Sequence, residues 1–151
     1  MRVGGVEVKP CEAVLVLPRP DGVDIPFIAK AVSIADEFNA LVPMPTAPMV
    51  QTKDGSSPDL KDESYLAALK KRDDQRLAFL VLKSLEPSNI EWDGVDLEKP
   101  GTWLKWSEEM EENGISNVEV NRIIDLVFEA NALDEAKIEA ARKAFLLGQV
   151  A

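Results

Sequence analysis

The run Phe38-Asn39-Ala40-Leu41-Val42-Pro43-Met44-Pro45-Thr46-Ala47-Pro48-Met49-Val50 divides this chain. Pro43, Pro45 and Pro48, with Pro58 beyond them, each lack an amide hydrogen and disfavour α conformation in the residue before. Residues 43–58 are therefore expected to be irregular: extended, close to polyproline II, then mobile through Lys53-Asp54-Gly55-Ser56-Ser57 as a linker or arm. No charge interrupts residues 40–51. An apolar stretch that cannot pair its own backbone must lie along this chain's helices, on a second copy, or on another protein.

Upstream of the divide the pattern is that of strands. Ala13-Val14-Leu15-Val16-Leu17 and the run Ile25 to Val32 flank Pro18-Arg19-Pro20-Asp21-Gly22, which is turn chemistry, and a hairpin is expected. Ile25, Phe27 and Ala29 fall on one face, Ile28 and Lys30 on the other. Val6 and Val8 offer a third strand, because a two-stranded hairpin alone is marginal in water. Gly4-Gly5 reads as a turn. Ser33 to Leu41 is a short helix, with Ser33 as its cap and Ile34, Phe38 and Leu41 on one face, or else a continued strand.

Downstream the pattern is helical. Asp62 to about Leu85 holds no Gly or Pro and is rich in Ala, Leu, Lys and Arg. Leu66, Leu69, Leu77, Phe79 and Leu80 are its expected apolar face. Glu86-Pro87-Ser88-Asn89 stops it, and an irregular stretch with Trp92, Val95 and Leu97 follows. Pro100 suits a first helical turn, Trp103, Trp106 and Met110 stand at i, i+3 and i+7, and Gly114 is a stop. Ser116 and Glu119 spell a capping box, with Ile115 and Val120 at the staple positions. Val120, Ile123, Ile124 and Val127 form the buried stripe of that helix, and Asn131 is its left-handed exit. Asp134 caps a last helix, with Leu133 and Ile138 as staple. Ile138, Ala141, Phe145 and Leu146 line it, and Gly148 ends it. The expected fold is α+β: residues 1–42 a small β-rich subdomain built on a hairpin, 43–58 a Pro-rich extended linker, 59–149 a helical subdomain of about four helices.

Composition narrows function. The 151 residues are 46% apolar and 29% charged, which is globular. The 17 basic and 27 acidic side chains leave a charge of −10, of which residues 59–151 carry −8. That balance argues against nucleic acid or an anionic membrane as partner. Histidine is absent, which removes the usual general base, the usual nucleophile activation and most zinc sites. Cys11 is the single cysteine, expected to be buried or half-buried, and a reducing compartment fits it. No apolar run is long enough to span a bilayer, and Met1-Arg2-Val3-Gly4-Gly5 has no apolar signal core. A soluble cytoplasmic protein is the expectation.

Few motifs point to chemistry. Asp73-Asp74, Glu108-Glu109 and Glu111-Glu112 are neighbours that do not face each other on a helix, and no calcium loop or phosphate-binding glycine motif is present. No catalytic residue, metal, cofactor or small-molecule ligand is expected. Lys70-Lys71-Arg72 with Arg76 reads as a solvated helix face whose arginines compete for Asp73. Trp92, Trp103 and Trp106 fill a helical core, or else Trp92 and Trp106 rim an apolar groove.

One longer pattern stands out. Phe38-x-x-Leu41-x-Pro43-x-Pro45-x-x-Pro48 is followed by a helix, by Trp92-Asp93-Gly94-Val95-Asp96-Leu97 and by Thr102-Trp103. It continues through Val120-Asn121-Arg122-Ile123, Ala130-Asn131-Ala132-Leu133 and Ala141-Arg142-Lys143-Ala144-Phe145-Leu146. In order and spacing this series resembles small proteins encoded among the tail genes of long-tailed bacteriophages and prophages, the tail assembly chaperones, over most of residues 12–149. The resemblance implies a non-enzymatic factor of the host bacterial cytoplasm. Its partners would be the helical, aggregation-prone tape measure protein and the tail-tube protein, with self-association a further option. Some members are made in two lengths by ribosomal frameshifting. The residues expected to meet a partner are Phe38, Leu41, Pro43, Met44, Pro45, Met49, Trp103, Trp106 and Met110. The alternatives are a minor tail or connector subunit retained in the virion, a carboxylate- or metal-dependent enzyme, and a host-directed inhibitor.

Overall fold

The computed structural model describes residues 1–150. Its class is α+β, with small antiparallel sheets leading into a helical C-terminal part. Two residues a side, β1 (Arg2–Val3) and β2 (Val6–Glu7) make a minute hairpin. Its turn is Gly4-Gly5, both at positive φ (56° and 83°), the demand of the tight turn that matches strand twist.

The structural hairpin is β3 (Glu12–Leu17) with β4 (Ile25–Lys30), paired from Glu12↔Lys30 to Leu17↔Ile25 without a bulge. Alternation sends Ala13, Leu17, Phe27 and Ala29 into the core. Among the described residues the sheet gains no third strand: the first hairpin stays separate, and helices cover its inner face instead. That covering makes a two-stranded sheet viable.

Helix α1 (Ala35–Leu41) buries Phe38, with Ile34 and Leu41 packed beside it. Its N-cap is Ile34 without a side-chain bond, so Ser33 does not cap it. The expectation of an irregular 43–58 holds only to Pro48. Beyond it β5 (Met49–Thr52) and β6 (Gly55–Pro58) form a third hairpin. Gly55 at φ +116° closes its short loop, and the two prolines at its ends cost little because one precedes β5 and the other terminates β6.

Helix α2 (Glu63–Ser84) is capped by Asp62, whose carboxylate accepts from the Tyr65 amide at 3.0 Å. Its buried face is Gln75, Ala78, Phe79, Val81, Leu82 and Ser84. Leu66 and Leu77 of the expected stripe are exposed, because the core is met only by the helix's second half. A 3-10 turn (Glu86–Ser88) with Asn89 left-handed at φ 52° ends it. A 3-10 helix (Pro100–Lys105) then runs into α3 (Trp106–Glu112), which stops before Gly114 at φ +96°. Helix α4 (Asn117–Ala130) carries both hydrogen bonds of the Ser116/Glu119 capping box. Val120, Ile123, Leu126, Val127 and Ala130 are buried.

The exit from α4 differs from expectation. Ala132, not Asn131, is left-handed (φ 56°). The Leu133 amide donates to the Phe128 carbonyl (2.8 Å) and the Ala132 amide to that of Glu129 (3.2 Å), the pairing of a Schellman turn. Asn131 is committed elsewhere: its amide donates to Ser84 Oγ and the Val127 carbonyl (both 2.8 Å), and its Oδ1 accepts from the Val32 amide (3.0 Å). Helix α5 (Glu135–Val150) starts at Asp134, whose Oδ1 accepts from the Ala136 and Lys137 amides. It continues through Gly148.

The core is one cluster. Phe38 and Phe79 flank Trp103, with ring centroids 6.1 Å and 4.4 Å from it, and β3, β4, α2, α3 and α4 all contribute. Residues 1–42 and 59–130 thus share a hydrophobic interior rather than owning one each.

Candidate interaction surface

Trp103 is fully buried because its indole N–H finds the Asp96 and Leu97 carbonyls (3.1 and 3.3 Å) inside the apolar cluster. Trp106 and Met110 lie one and two turns on, on the same inward face, and are buried too. So is Phe38, with the Arg72 guanidinium 4.8 Å from its ring centroid. Four of the nine residues expected to meet a partner are therefore interior, since the chain's own α2 and α4 lie opposite them. Arg72 is likewise not a solvated rival for Asp73. It donates to Asn39 Oδ1 (2.6 Å) and to the Val42 carbonyl (3.3 Å), closing the C-terminal end of α1.

The other five sit at the surface or its edge. Leu41 packs half-buried against the core, and Pro45 is half-buried beside the first turn of α2. Pro43, Met44 and Met49 are exposed, Met44 at 65% and Met49 at 61%. The arm therefore lies along its own helix while both methionines stay in water.

Sequence reasoning assigned α5 an inward stripe, and here the structure overturns it. Every residue of 135–149 is exposed: Phe145 at 64%, Leu147 at 72%, Ile138 and Leu146 at 45% each. Ile138, Ala141 and Phe145 repeat at i, i+3 and i+7, so they form a real stripe, but none of the described residues buries it. A lateral tie to the body is the ion pair between Lys137 and Glu129. Helices of this length are marginal alone in water. The signal that finds this surface is the stripe itself; what periodicity cannot report is whether a second surface faces it.

A second concavity of about 250 Å³ opens where β4 meets the 88–93 stretch and α3, lined by Ile25, Phe27, Ile90, Trp92, Met110 and Ile115. Trp92 stands half-buried at this cleft and also packs against the core, whereas Trp106, its partner in the groove alternative, is buried. Cys11 is exposed rather than buried.

Charge pairs hold the frame under these surfaces. Arg19, in the β3–β4 loop, donates through Nη1 and Nη2 to Glu119 Oε2 and Oε1 (2.8 and 3.2 Å). That bond, then the hydrogen bond from the Ser116 amide, pulls the Glu119 carboxyl down to about 2. Lys83 sits between Glu86 (2.8 Å) and Glu37 (3.4 Å); its ammonium is raised chiefly by the hydrogen bond to Glu86. Among the described residues no three acidic or thiol groups converge as a metal site, and no helix is long and apolar enough to cross a membrane. No protein-family model matches the chain, and no curated protein or solved structure matches it.

Proposed function

We propose that this protein is a non-enzymatic tail assembly chaperone of a long-tailed phage. It acts in the host bacterial cytoplasm and holds apolar helices of the tape measure protein, or tail-tube subunits, until the tail is built. The observation that carries the reading is the uncovered stripe of α5. A client helix laid along it would bury Ile138 and Phe145, each worth roughly 1.5–3 kcal/mol on full burial. Met44 and Met49 add soft, adaptable apolar surface of the kind used for varied partners. The formal charge of −10 keeps such a molecule soluble while apolar groups stand in water. The likeness in residues 12–149 supplies the client class; the exposed helix supplies a means.

The test is co-expression with tagged tape measure protein, followed by affinity capture. The unaltered chain should be retained. Ile138→Glu combined with Phe145→Glu should lower retention at least tenfold while thermal unfolding stays unchanged. Equal retention of that variant would remove α5 from the reading. Mass spectrometry of purified virions completes the test: a chaperone is absent, whereas stoichiometric presence makes the protein a tail component.

A further inference from the structure

The β3–β4 sheet has two edges, and they are treated differently. Along β4 the outward-facing groups are those of Ile28, Pro26 and Lys30. Ser88 Oγ both accepts from the Ile28 amide and donates to the Ile28 carbonyl, each at 2.8 Å. Pro26 has no amide hydrogen to offer. That edge is closed, as sheet proteins close edges against unwanted pairing.

Along β3 nothing comparable is present. The Ala31 amide bonds the Cys11 carbonyl (2.8 Å), which with the register makes Cys11, Ala13, Leu15 and Leu17 the residues bonded to β4. The amides and carbonyls of Glu12, Val14 and Val16 therefore point away from β4. No strand adjoins them, and among the described residues no hydrogen bond is made to them. Val14 and Val16 are 65% and 52% exposed. No lysine, proline or bulge interrupts 12–17.

A groove of about 160 Å³ lies beside this edge, between Val14 and Leu15 on one side and Arg122, Asp125, Leu126 and Glu129 of α4 on the other. Those α4 residues stand at i, i+3, i+4 and i+7 and so form one face. Glu129 is paired with Lys137, while neither Asp125 nor Arg122 has an opposite charge within 4.0 Å among the described residues.

We propose that β3 is a strand-addition site: an extended segment of another polypeptide pairs with the backbone of Glu12, Val14 and Val16 and sets a Lys or Arg side chain against Asp125. Backbone bonds give affinity in this mode, and the alternate side chains that fall toward α4 give selectivity. Charge chooses the occupant. Arg122 and Asp125 balance within the groove, so the preference comes from the Glu12 carboxylate at the start of the edge and the net charge of −10, which favour a cationic strand and oppose a second copy of this acidic chain. The site meets α5 through the Glu129–Lys137 pair and does not depend on the chaperone reading.

The probe is an acetylated and amidated nine-residue peptide alternating Val or Thr with Lys, set against the same peptide with Glu for Lys. Amide exchange is followed by NMR on the whole chain at low protein concentration. The Val14 and Val16 amides should exchange freely without peptide and slow at least tenfold with the Lys peptide, while the Ala13 and Leu15 amides, already in the ladder, change little. Asp125→Lys should reverse the peptide preference, and Val14→Pro, which removes an outward amide only, should weaken binding at least tenfold. The exchange measurement needs no variant, so a folding defect in Val14→Pro leaves the test intact. Protection of Val14 and Val16 in the dilute free chain, protection that grows with protein concentration alone, or equal response to both peptides would each overturn the proposal: the first assigns the edge to this chain, the second to a second copy, the third removes the charge argument.

Discussion

Arg19 and Glu119 meet in a two-pronged ion pair across one hundred residues of chain, with the nearer contact at 2.8 Å. Glu119 is at once the N3 residue of the α4 capping box, accepting from the Ser116 amide at 3.0 Å. One carboxylate thus joins the loop of the β3–β4 hairpin to the start of the helix beneath it.

The pair sets an acid response. The Glu119 carboxyl titrates near 2 when folded, against 4.5 unperturbed. The unfolded state therefore takes up the proton more readily, and stability present above about pH 4.5 is lost as pH falls toward 2. Glu119→Gln keeps a capping-box residue but abolishes the titration. Urea unfolding between pH 5 and pH 2.5 should show a shallower pH dependence for the Gln variant than for the unaltered chain; identical slopes would show that the pair does not govern acid sensitivity.

Trp103 is core, and its replacement should say so. Trp103→Ala removes the ring between Phe38 and Phe79 and both indole hydrogen bonds. A loss of about 3–5 kcal/mol is expected from urea unfolding. Trp106→Glu, which puts a charge at a buried position, should also unfold the chain, whereas Met44→Glu at an exposed one should change stability by less than about 0.5 kcal/mol.

Ala132 holds a left-handed conformation that glycine adopts without steric cost. Ala132→Gly should stabilise the chain by about 0.5–1 kcal/mol, the left-handed penalty less the added freedom of the unfolded state. A fall in melting temperature would mean that Ala132 makes contacts that outweigh its strain.

Asn131 serves Val32, Ser84 and Val127 together, and Ser84 is fully buried. Asn131→Ala should cost about 1–3 kcal/mol, because it strands the Ser84 hydroxyl and the Val32 amide. Ser84→Ala should cost less, and the double variant should cost less than the sum of the two. Strict additivity in a double-mutant cycle would contradict the shared network.

Helix α5 buries nothing at residues 135–149, so it should be dispensable for folding. Truncation after Asp134 should leave the unfolding midpoint of the remainder within experimental scatter and reduce helical circular dichroism. A large drop in midpoint would show that α5 rests on the body in solution.

What the sequence determined by itself is what neighbouring residues decide. The β3–β4 hairpin, the Asp134 cap, the Ser116/Glu119 box and the stops at Asn89 and Gly114 were legible because backbone conformation answers to side chains within a few positions. The tertiary structure alone decided which apolar side chains are inside. Trp103, Trp106 and Met110 form a helical stripe, and so do Ile138, Ala141 and Phe145. The first stripe is buried by α2 and α4, while the second meets water. Burial requires an opposing surface, and that surface comes from residues far along the chain, or from another molecule. The same reason hid the Arg72–Phe38 contact, the Arg19–Glu119 pair and the open edge of β3, none of which any local pattern encodes.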